Sequence, residues 1–283
     1  MIILTIKEAL NYSIDKLKQE NVEEPFSKTK IVIANTLNVN KEYLIINENE
    51  ILNNEQIDRI KSSIDKLVQG IPLQYITKSQ EFMGFDFYVD ENVLIPQPDT
   101  EILVEEAICI LKKIEKPKIL DLCTGSGAIA ISIAKNINAK TITASDISNK
   151  ALNVAKVNCK KNNVDNIKLI ESDLFENITE RFDIIVSNPP YIESNVIKTL
   201  TKEVQNEPKL ALDGGENGLD FYRRIINEAS EFLEPNGYLC LEIGYNQKDK
   251  VINLMEKSKK YSNIYSKKDL GNNDRIVVCQ KTR

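Results

Sequence analysis

Along the chain the spacing of apolar positions changes twice, and each change marks a different kind of structure. From residue 1 to about residue 70, apolar side chains recur at helical intervals in IKEALNYSIDKLKQE, SKTKIVIANTLNV and NEQIDRIKSSIDKLVQG. In the last of these Ile57, Ile60, Ile64, Leu67 and Val68 share one face, and Gly70 with Pro72 closes the helix. From Glu81 the period becomes two: EFMGFDFYVDENVLIP alternates aromatic and polar residues around Gly84 and Asp90-Glu91-Asn92, a hairpin signature. PQPDTEILVEEAICILKK then enters an amphipathic helix through prolines, with Thr100 as its cap.

The remainder alternates short strand-like and helical runs: KILDLC, AIAISIAKN, KTITASD, SNKALNVAKVNCKKNN, IKLIES, FDIIVSN, GLDFYRRIINEASEFL, GYLCLEIG and NQKDKVINLMEK. Such alternation predicts an α/β domain with a mostly parallel sheet covered by helices on both faces. The last two runs, SNIYSKKDL and DRIVVCQ, have only a short polar connection and fit an antiparallel edge pair. The expected organisation is a helical domain at 1–78, a β-hairpin linker at 79–97 and the α/β domain at 98–283. The helical domain reads equally as a bundle that packs on its neighbour or as a partner-binding module.

Composition narrows the chemistry. There is no histidine, so imidazole bases, Ser-His and Cys-His pairs and the usual zinc ligands are all excluded. Whatever reaction occurs must run on carboxylates, amides, backbone groups or a cofactor. The five cysteines, Cys109, Cys123, Cys159, Cys240 and Cys279, are scattered and form no CxxC pair, which predicts neither a disulfide framework nor a metal site and fits a reducing cytoplasm. A formal charge of −5 argues against non-specific nucleic-acid binding. No apolar run approaches the roughly 18 residues of a membrane span, and Lys7 and Glu8 interrupt the apolar start of the chain.

KILDLCTGSGAIAISIA sets a glycine-rich turn between a strand and a helix, where Gly125 and Gly127 let backbone approach a ligand and the helix offers free N–H groups. A second strand ends in Asp146, about 20 residues on, where a carboxylate can accept from both ribose hydroxyls. A third ends in Asp173, which with Leu174 is expected to flank an adenine. Asp121, Asp146, Asp173 and Asn188 all fall at strand ends, where open parallel sheets bind ligands. Any one such acidic residue reads as readily as a helix cap or turn former; the four together point to one crevice. DLCTGSGAIA resembles the first motif of the Rossmann-like methyltransferases, an acidic residue followed by alternating glycines. Cys123 stands where the first of those glycines usually lies, so that position must adopt a conformation a non-glycine residue tolerates.

SNPPYIES ends the fourth strand. Two prolines after an apolar run force a rigid extended turn, so Asn188 to Tyr191 lie at the mouth of the same crevice. Asn188 offers an acceptor carbonyl, Pro189 a backbone C=O and Tyr191 a flat face, a set that suits an NH2 group held for methyl transfer. An amide or aromatic amine nitrogen is a weak, planar nucleophile; two acceptors on its hydrogens stabilise developing positive charge and aim it. On these residues alone the acceptor is a base or an amide, and a binding module that has kept its pocket remains a third reading.

Asn-Pro-Pro-Tyr after such a sheet resembles the signature of amino methyltransferases acting on adenine, guanine or glutamine nitrogens. NVLIPQPDTE, NEPKLALDGGENGLDFYRRI, GYLCLEIGYNQ and DLGNNDRIV are similar to the protein-glutamine N5-methyltransferases of peptide-chain release factors, the PrmC or HemK family, over about residues 70–283. The resemblance implies a Rossmann-like class I methyltransferase with a mostly parallel seven-stranded sheet. It implies S-adenosylmethionine as donor, S-adenosylhomocysteine as product, and the glutamine of the Gly-Gly-Gln tripeptide of class I release factors as acceptor, with the N-terminal helices helping to hold that partner. It sets Asp121, Cys123, Thr124, Gly125, Ser126, Gly127, Asp146, Asp173, Leu174 and Asn188 against the cofactor. Asn188, Pro189, Pro190 and Tyr191 would hold the substrate, with Asn188, Pro189 and Tyr191 at the reacting amide. A cytoplasmic monomer acting in translation termination, without stable nucleic acid or membrane, is expected. Gln97 replaces the family's usual arginine, whereas Pro98 to Glu101 is intact, as in the release-factor enzymes rather than the ribosomal-protein glutamine methyltransferases. A nucleic-acid methyltransferase would use the same tetrapeptide on a flipped base, but would normally add a basic target-reading region.

Overall fold

The structure, a computed structural model, describes residues 4–282. They form two compact units: the described residues up to Lys78 with Thr201–Asn206, and Ser79–Leu200 with Glu207 onward. The hairpin thus counts with the second unit, and six residues that the sequence assigns to the α/β domain count with the first.

In the first unit a two-residue strand β1 (Leu4–Thr5) leads into helix α1 (Ile6–Gln19), then α2 (Pro25–Leu37), α3 (Lys41–Ile46), strand β2 (Ile51–Leu52), α4 (Asn54–Val68) and α5 (Leu73–Thr77). Helices α1 and α4 start at capping boxes, Thr5 with Glu8 and Asn53 with Gln56, whereas α2 starts at Pro25 without a side-chain cap. Their apolar faces meet in one core in which Leu17, Ile33, Leu44 and Ile64 are fully buried. The short α3 and α5 and the β1–β2 pair are too brief to show a period in the sequence. Thr201–Asn206 is stitched on by Asn206 Nδ2 donating to the Gly70 carbonyl at 3.0 Å and by Lys28 pairing with Glu203 at 3.1 Å. Gly70 has φ +83°, and a Cβ there would lie 2.5 Å from Lys202 Cβ, so this position needs glycine twice over.

The second unit opens with the hairpin β3 (Gln80–Phe82) and β4 (Phe85–Phe87), whose turn residues Met83 and Gly84 both have positive φ, as a tight two-residue hairpin turn requires. A single 3-10 turn, Pro98–Thr100, precedes α6 (Glu101–Leu111). Then follow β5 (Lys118–Leu122), α7 (Ala128–Asn136), β6 (Thr141–Asp146), α8 (Asn149–Lys161), β7 (Ile167–Glu171) and β8 (Phe182–Ser187). After the short α9 (Lys202–Gln205), which counts with the first unit, the second unit resumes with α10 (Lys209–Leu212), α11 (Asp220–Phe232), β9 (Leu233–Glu242), α12 (Lys248–Ser258), β10 (Tyr261–Lys268) and β11 (Asp274–Lys281).

The seven strands β5 to β11 form one sheet in the order β10-β11-β9-β8-β5-β6-β7, parallel except for β11, which runs antiparallel to both β9 and β10. β11 lies between β9 and β10 and makes the antiparallel edge of an otherwise parallel sheet. Both faces are covered. On β5 Ile119 packs into the core beneath α6 and α7, while Leu120 and Leu122 pack into the opposite core with Tyr222 and Ile225 of α11. This double burial is why the strands read as continuous apolar runs. Strand order reverses between β5 and β8, which opens a crevice beyond their carboxyl ends.

Candidate active site

The loops that leave β5, β6, β7 and β8 line one cavity, with Phe82, Gln97 and Thr100 on its far side. After β5 the chain turns through Cys123 (φ 59°), Gly125 (φ 55°) and Gly127 (φ 80°) into α7. A cysteine in the left-handed region costs about 1–2 kcal/mol, so this departure from glycine is tolerated at a strained position. The two glycines differ in purpose. A Cβ at Gly125 would meet nothing within 4 Å, leaving room for a ligand over the loop, whereas one at Gly127 would lie 3.2 Å from Ala155 of α8.

Asp121 lies beneath this loop and does not line the cavity. It is fully buried, and Oδ2 accepts from Thr124 Oγ1 at 2.6 Å and from the Ala130 amide at 3.2 Å, so it braces the turn from below. Burial pushes its carboxyl pKa up to about 7. Thr124, Ser126 and Gly125 face the cavity, and Asn158 of α8 ties Ser126 to the hairpin arm by donating to the carbonyls of both Ser126 and Tyr88 at 2.9 Å.

Asp146 lines the cavity, its two oxygens accepting from the amides of Gly125 and Ser148, each at 2.9 Å. These bonds fix the carboxylate and leave each oxygen a further lone pair, the arrangement a vicinal diol needs. Burial raises its pKa against the lowering influence of those N–H groups. After β7, Leu174 is held at φ 48° because Ser172 Oγ donates to its carbonyl at 2.8 Å and accepts from the Asn177 amide at 3.0 Å. Asp173 is paired with Arg224 of α11 at 2.9 Å, and both border the cavity. Arg224 and Ser172 had no signal in the sequence beyond their place in polar helix and loop stretches.

At the end of β8 the tetrapeptide divides. Asn188 and Pro190 line the cavity; Pro189 and Tyr191 do not. Asn188 Nδ2 donates to Thr100 Oγ1 at 3.2 Å. Thr100, expected to cap α6, makes no capping bond: it ends the 3-10 turn with helical backbone angles (φ −69°, ψ −18°) rather than the extended ones a cap requires. The Tyr191 ring packs against the core beneath the turn, its carbonyl accepts from Gln247 Nε2 at 3.0 Å, and its hydroxyl reaches Glu242 Oε1 at 3.4 Å. The flat face assigned to the substrate is therefore spent on packing in this conformation. Behind the turn the DGGENG stretch comes so close that a Cβ at Gly214 would lie 2.7 Å from Tyr191 Cα, and one at Gly218 2.3 Å from the Tyr191 carbonyl oxygen.

Two buried carboxylates support this wall. Glu207 accepts from the Ile95 amide at 2.9 Å, two residues before Gln97, whose own amide donates back to the Ile95 carbonyl at 2.9 Å. Glu242, at the end of β9, is 2% exposed, and burial pushes its pKa up to about 7 against the Thr100 hydroxyl and the Arg275 guanidinium. Among the described residues no cluster of histidine, cysteine, aspartate or glutamate could hold a metal ion, and no helix is long and apolar enough to cross a membrane.

The Methyltransferase small domain family matches residues 98–269, and the PrmC N-terminal domain family matches residues 8–77. The chain is 38% identical to the release factor glutamine methyltransferase of Fusobacterium nucleatum over 97% of this chain and 78% of that protein. It is 39% identical to the protein of the same name from Clostridium acetobutylicum over 98% of both. A solved methyltransferase structure from Pyrococcus furiosus, 20% identical, superposes with a TM-score of 0.53 over 81% of this chain and 99% of that one, which shows the shared fold.

Proposed function

The chain belongs to the release factor glutamine methyltransferases, and from that membership we propose that it methylates the side-chain nitrogen N5 of the glutamine in the Gly-Gly-Gln tripeptide of class I release factors, using S-adenosylmethionine. The observation that carries this reading is the Asn188 amide, fixed by Thr100 at the end of β8 and bordering the cavity that Asp146 and Gly125 line.

The cavity fits the donor. Open space above Gly125 accepts a ligand backbone, the held Asp146 carboxylate can take two ribose hydroxyls, and Leu174 with Asp173 walls the place of a purine. When bound, S-adenosylmethionine supplies a methyl group on a positively charged sulfur. The protein's part is to present a weak nucleophile to it. The substrate NH2 donates a hydrogen to Asn188 Oδ1, the acceptor of the tetrapeptide that borders the cavity, which aims the nitrogen and stabilises the positive charge it gains as the methyl arrives. The proline pair keeps that acceptor from moving as charge develops. Without histidine no strong base acts beforehand, and the nitrogen becomes acidic enough to lose its proton only after transfer.

Incubation with labelled S-adenosylmethionine and, in parallel, release factor, ribosomal RNA, transfer RNA or DNA tests the reading. Label on the release factor alone supports it; label on nucleic acid alone moves the assignment to a base methyltransferase.

A further inference from the structure

We propose that Gln247 is a positioning residue for methyl transfer: its buried side-chain amide holds the Asn188–Tyr191 turn from behind by the Tyr191 carbonyl and locks it to the DGGENG stretch at Gly218. The inference rests on the methyl-transfer reading above and adds a residue to it.

Gln247 follows the exposed pair Tyr245 and Asn246 and stands just before α12, yet it is only 4% exposed. Its Nε2 donates to the Tyr191 carbonyl at 3.0 Å and to the Gly218 carbonyl at 3.1 Å, which uses both amide hydrogens. Its Oε1 accepts from the Gly244 amide at 2.9 Å. The Tyr222 hydroxyl lies 3.4 Å from the same Oε1, but gives its one proton to the nearer Glu242 carbonyl at 2.9 Å. These partners dictate which way the amide faces, because the flipped amide would set its oxygen against two carbonyls and N–H against N–H.

The amide is itself held in place. The Gln247 backbone N–H donates to the Gly244 carbonyl at 2.9 Å while the Gly244 N–H donates to the Gln247 side chain, so a closed turn carries it. Two glycines make the room: a Cβ at Gly218 would lie 2.6 Å from Nε2, and one at Gly244 would lie 2.9 Å from Oε1.

The consequence reaches Asn188 along the backbone. The chain is tied where it leaves β8, by Ser187 Oγ donating to the Leu122 carbonyl at 2.8 Å and by the bond from Asn188 to Thr100. Pro189 and Pro190 have fixed φ and no N–H, so they pass on as a stiff unit to Tyr191. Gln247 pins that unit at its far end, and Asn188 Oδ1 belongs to a span held on both sides. An apolar side chain in place of Gln247 would fill the space but leave the Tyr191 and Gly218 carbonyls without their donor, and the turn would move as they sought another.

The test compares wild type with Gln247→Met, Gln247→Glu and Gln247→Met in the Asn188→Ala background. With release factor as substrate, each single variant is expected to lower kcat about 10- to 100-fold, as a displacement of about 1 Å at the acceptor would, while the KM for S-adenosylmethionine stays within about threefold. In the Asn188→Ala background the further loss should be less than about threefold, because the acceptor that Gln247 positions is already gone. A residue that merely stabilises the fold would add its loss independently there. Crystal structures with S-adenosylhomocysteine bound supply a readout independent of transfer, and the Asn188–Tyr191 turn should be displaced by about 1 Å in the variants. Wild-type kcat in either single variant, a full additive loss in the Asn188→Ala background, or an undisplaced turn overturns the proposal. If Gln247→Met does not fold, Gln247→Glu, which keeps the shape of the side chain and the bond from Gly244, takes its place in each comparison. If wild type itself transfers no methyl to release factor, the functional reading fails separately, and the position of the turn alone decides whether Gln247 holds it.

Discussion

Asn188 and Thr100, 88 residues apart in sequence, are joined by a 3.2 Å hydrogen bond that commits one end of the Asn188 amide and leaves the other to the cavity. On the proposed reading, the acceptor that a substrate amide needs is thus oriented before any substrate arrives. Preorganised acceptors of this kind are where catalytic energy resides, since no reorganisation remains for the moment of reaction.

Replacing Asn188 by alanine should therefore strike transfer and spare binding of the donor. We expect kcat to fall by about 100- to 1,000-fold, the loss typical of removing one transition-state hydrogen bond. Cofactor affinity, measured by calorimetry, should change by only a few-fold, because Asp146 and the glycine loop are untouched.

Asp146→Asn should do the opposite. The amide replaces one acceptor by a donor that must face either a ligand hydroxyl or the Gly125 or Ser148 N–H. S-adenosylmethionine should bind about tenfold or more weakly, in line with the 1–3 kcal/mol of an unmatched buried polar group. The loss should appear in cofactor KM with kcat at saturation little changed.

Gly218→Ala tests the wall behind the tetrapeptide. Its φ of +68° is unfavourable for alanine, and the new methyl would lie 2.3 Å from the Tyr191 carbonyl oxygen. Either the turn or the glycine loop must shift, at a cost of about 1–3 kcal/mol in stability. Because the displaced element carries Asn188, activity should fall further than the melting temperature alone accounts for, with cofactor affinity preserved.

Stability should decline as pH rises toward neutrality. Burial pushes Asp121, Glu207 and Glu242 each up to about 7, so the folded protein keeps protons that the unfolded chain has released. Folding takes up protons between the unfolded carboxylate pKa of about 4 and the folded value of about 7, and within that window each unit of pH removes up to about 1.4 kcal/mol per group. The melting temperature should be highest in mildly acidic buffer. Glu207→Gln keeps an acceptor for the Ile95 amide while removing the titration, so its melting curve should depend less on pH between 5 and 7 than that of wild type.

Much of this was legible before the structure. The mostly parallel sheet with its antiparallel edge pair, and the strand ends at Asp146, Asp173 and Asn188 that border one cavity, follow from β-branched runs that stop at glycine, aspartate or asparagine, and Gly84 marked its hairpin turn because no other residue is as comfortable there. Thr100 misled, since a threonine at a helix start reads as a cap, and only the fold brings Asn188 across to use its hydroxyl instead. Asp121 misled for a related reason: its place at a strand end is the same as that of Asp146, but it lies on the far side of the loop from the cavity. Tyr191 reads as a substrate face in a short motif, yet its ring packs down onto the core, which no local pattern discloses. Glu207 and Arg224 left no trace because a charged residue in a polar or amphipathic stretch looks solvated until tertiary packing buries or pairs it, and the apolar run around Glu242 gives no sign of which groups its carboxyl faces.

Fragment-ion mass spectrometry of release factor treated with the protein and S-adenosylmethionine decides whether the protein methylates a glutamine side chain. One added methyl group is expected, carried on the side-chain nitrogen of the Gly-Gly-Gln glutamine and absent when Asn188→Ala replaces wild type. An unmodified Gly-Gly-Gln peptide after prolonged incubation with active, cofactor-binding protein, or a methyl group found on another residue, would contradict it.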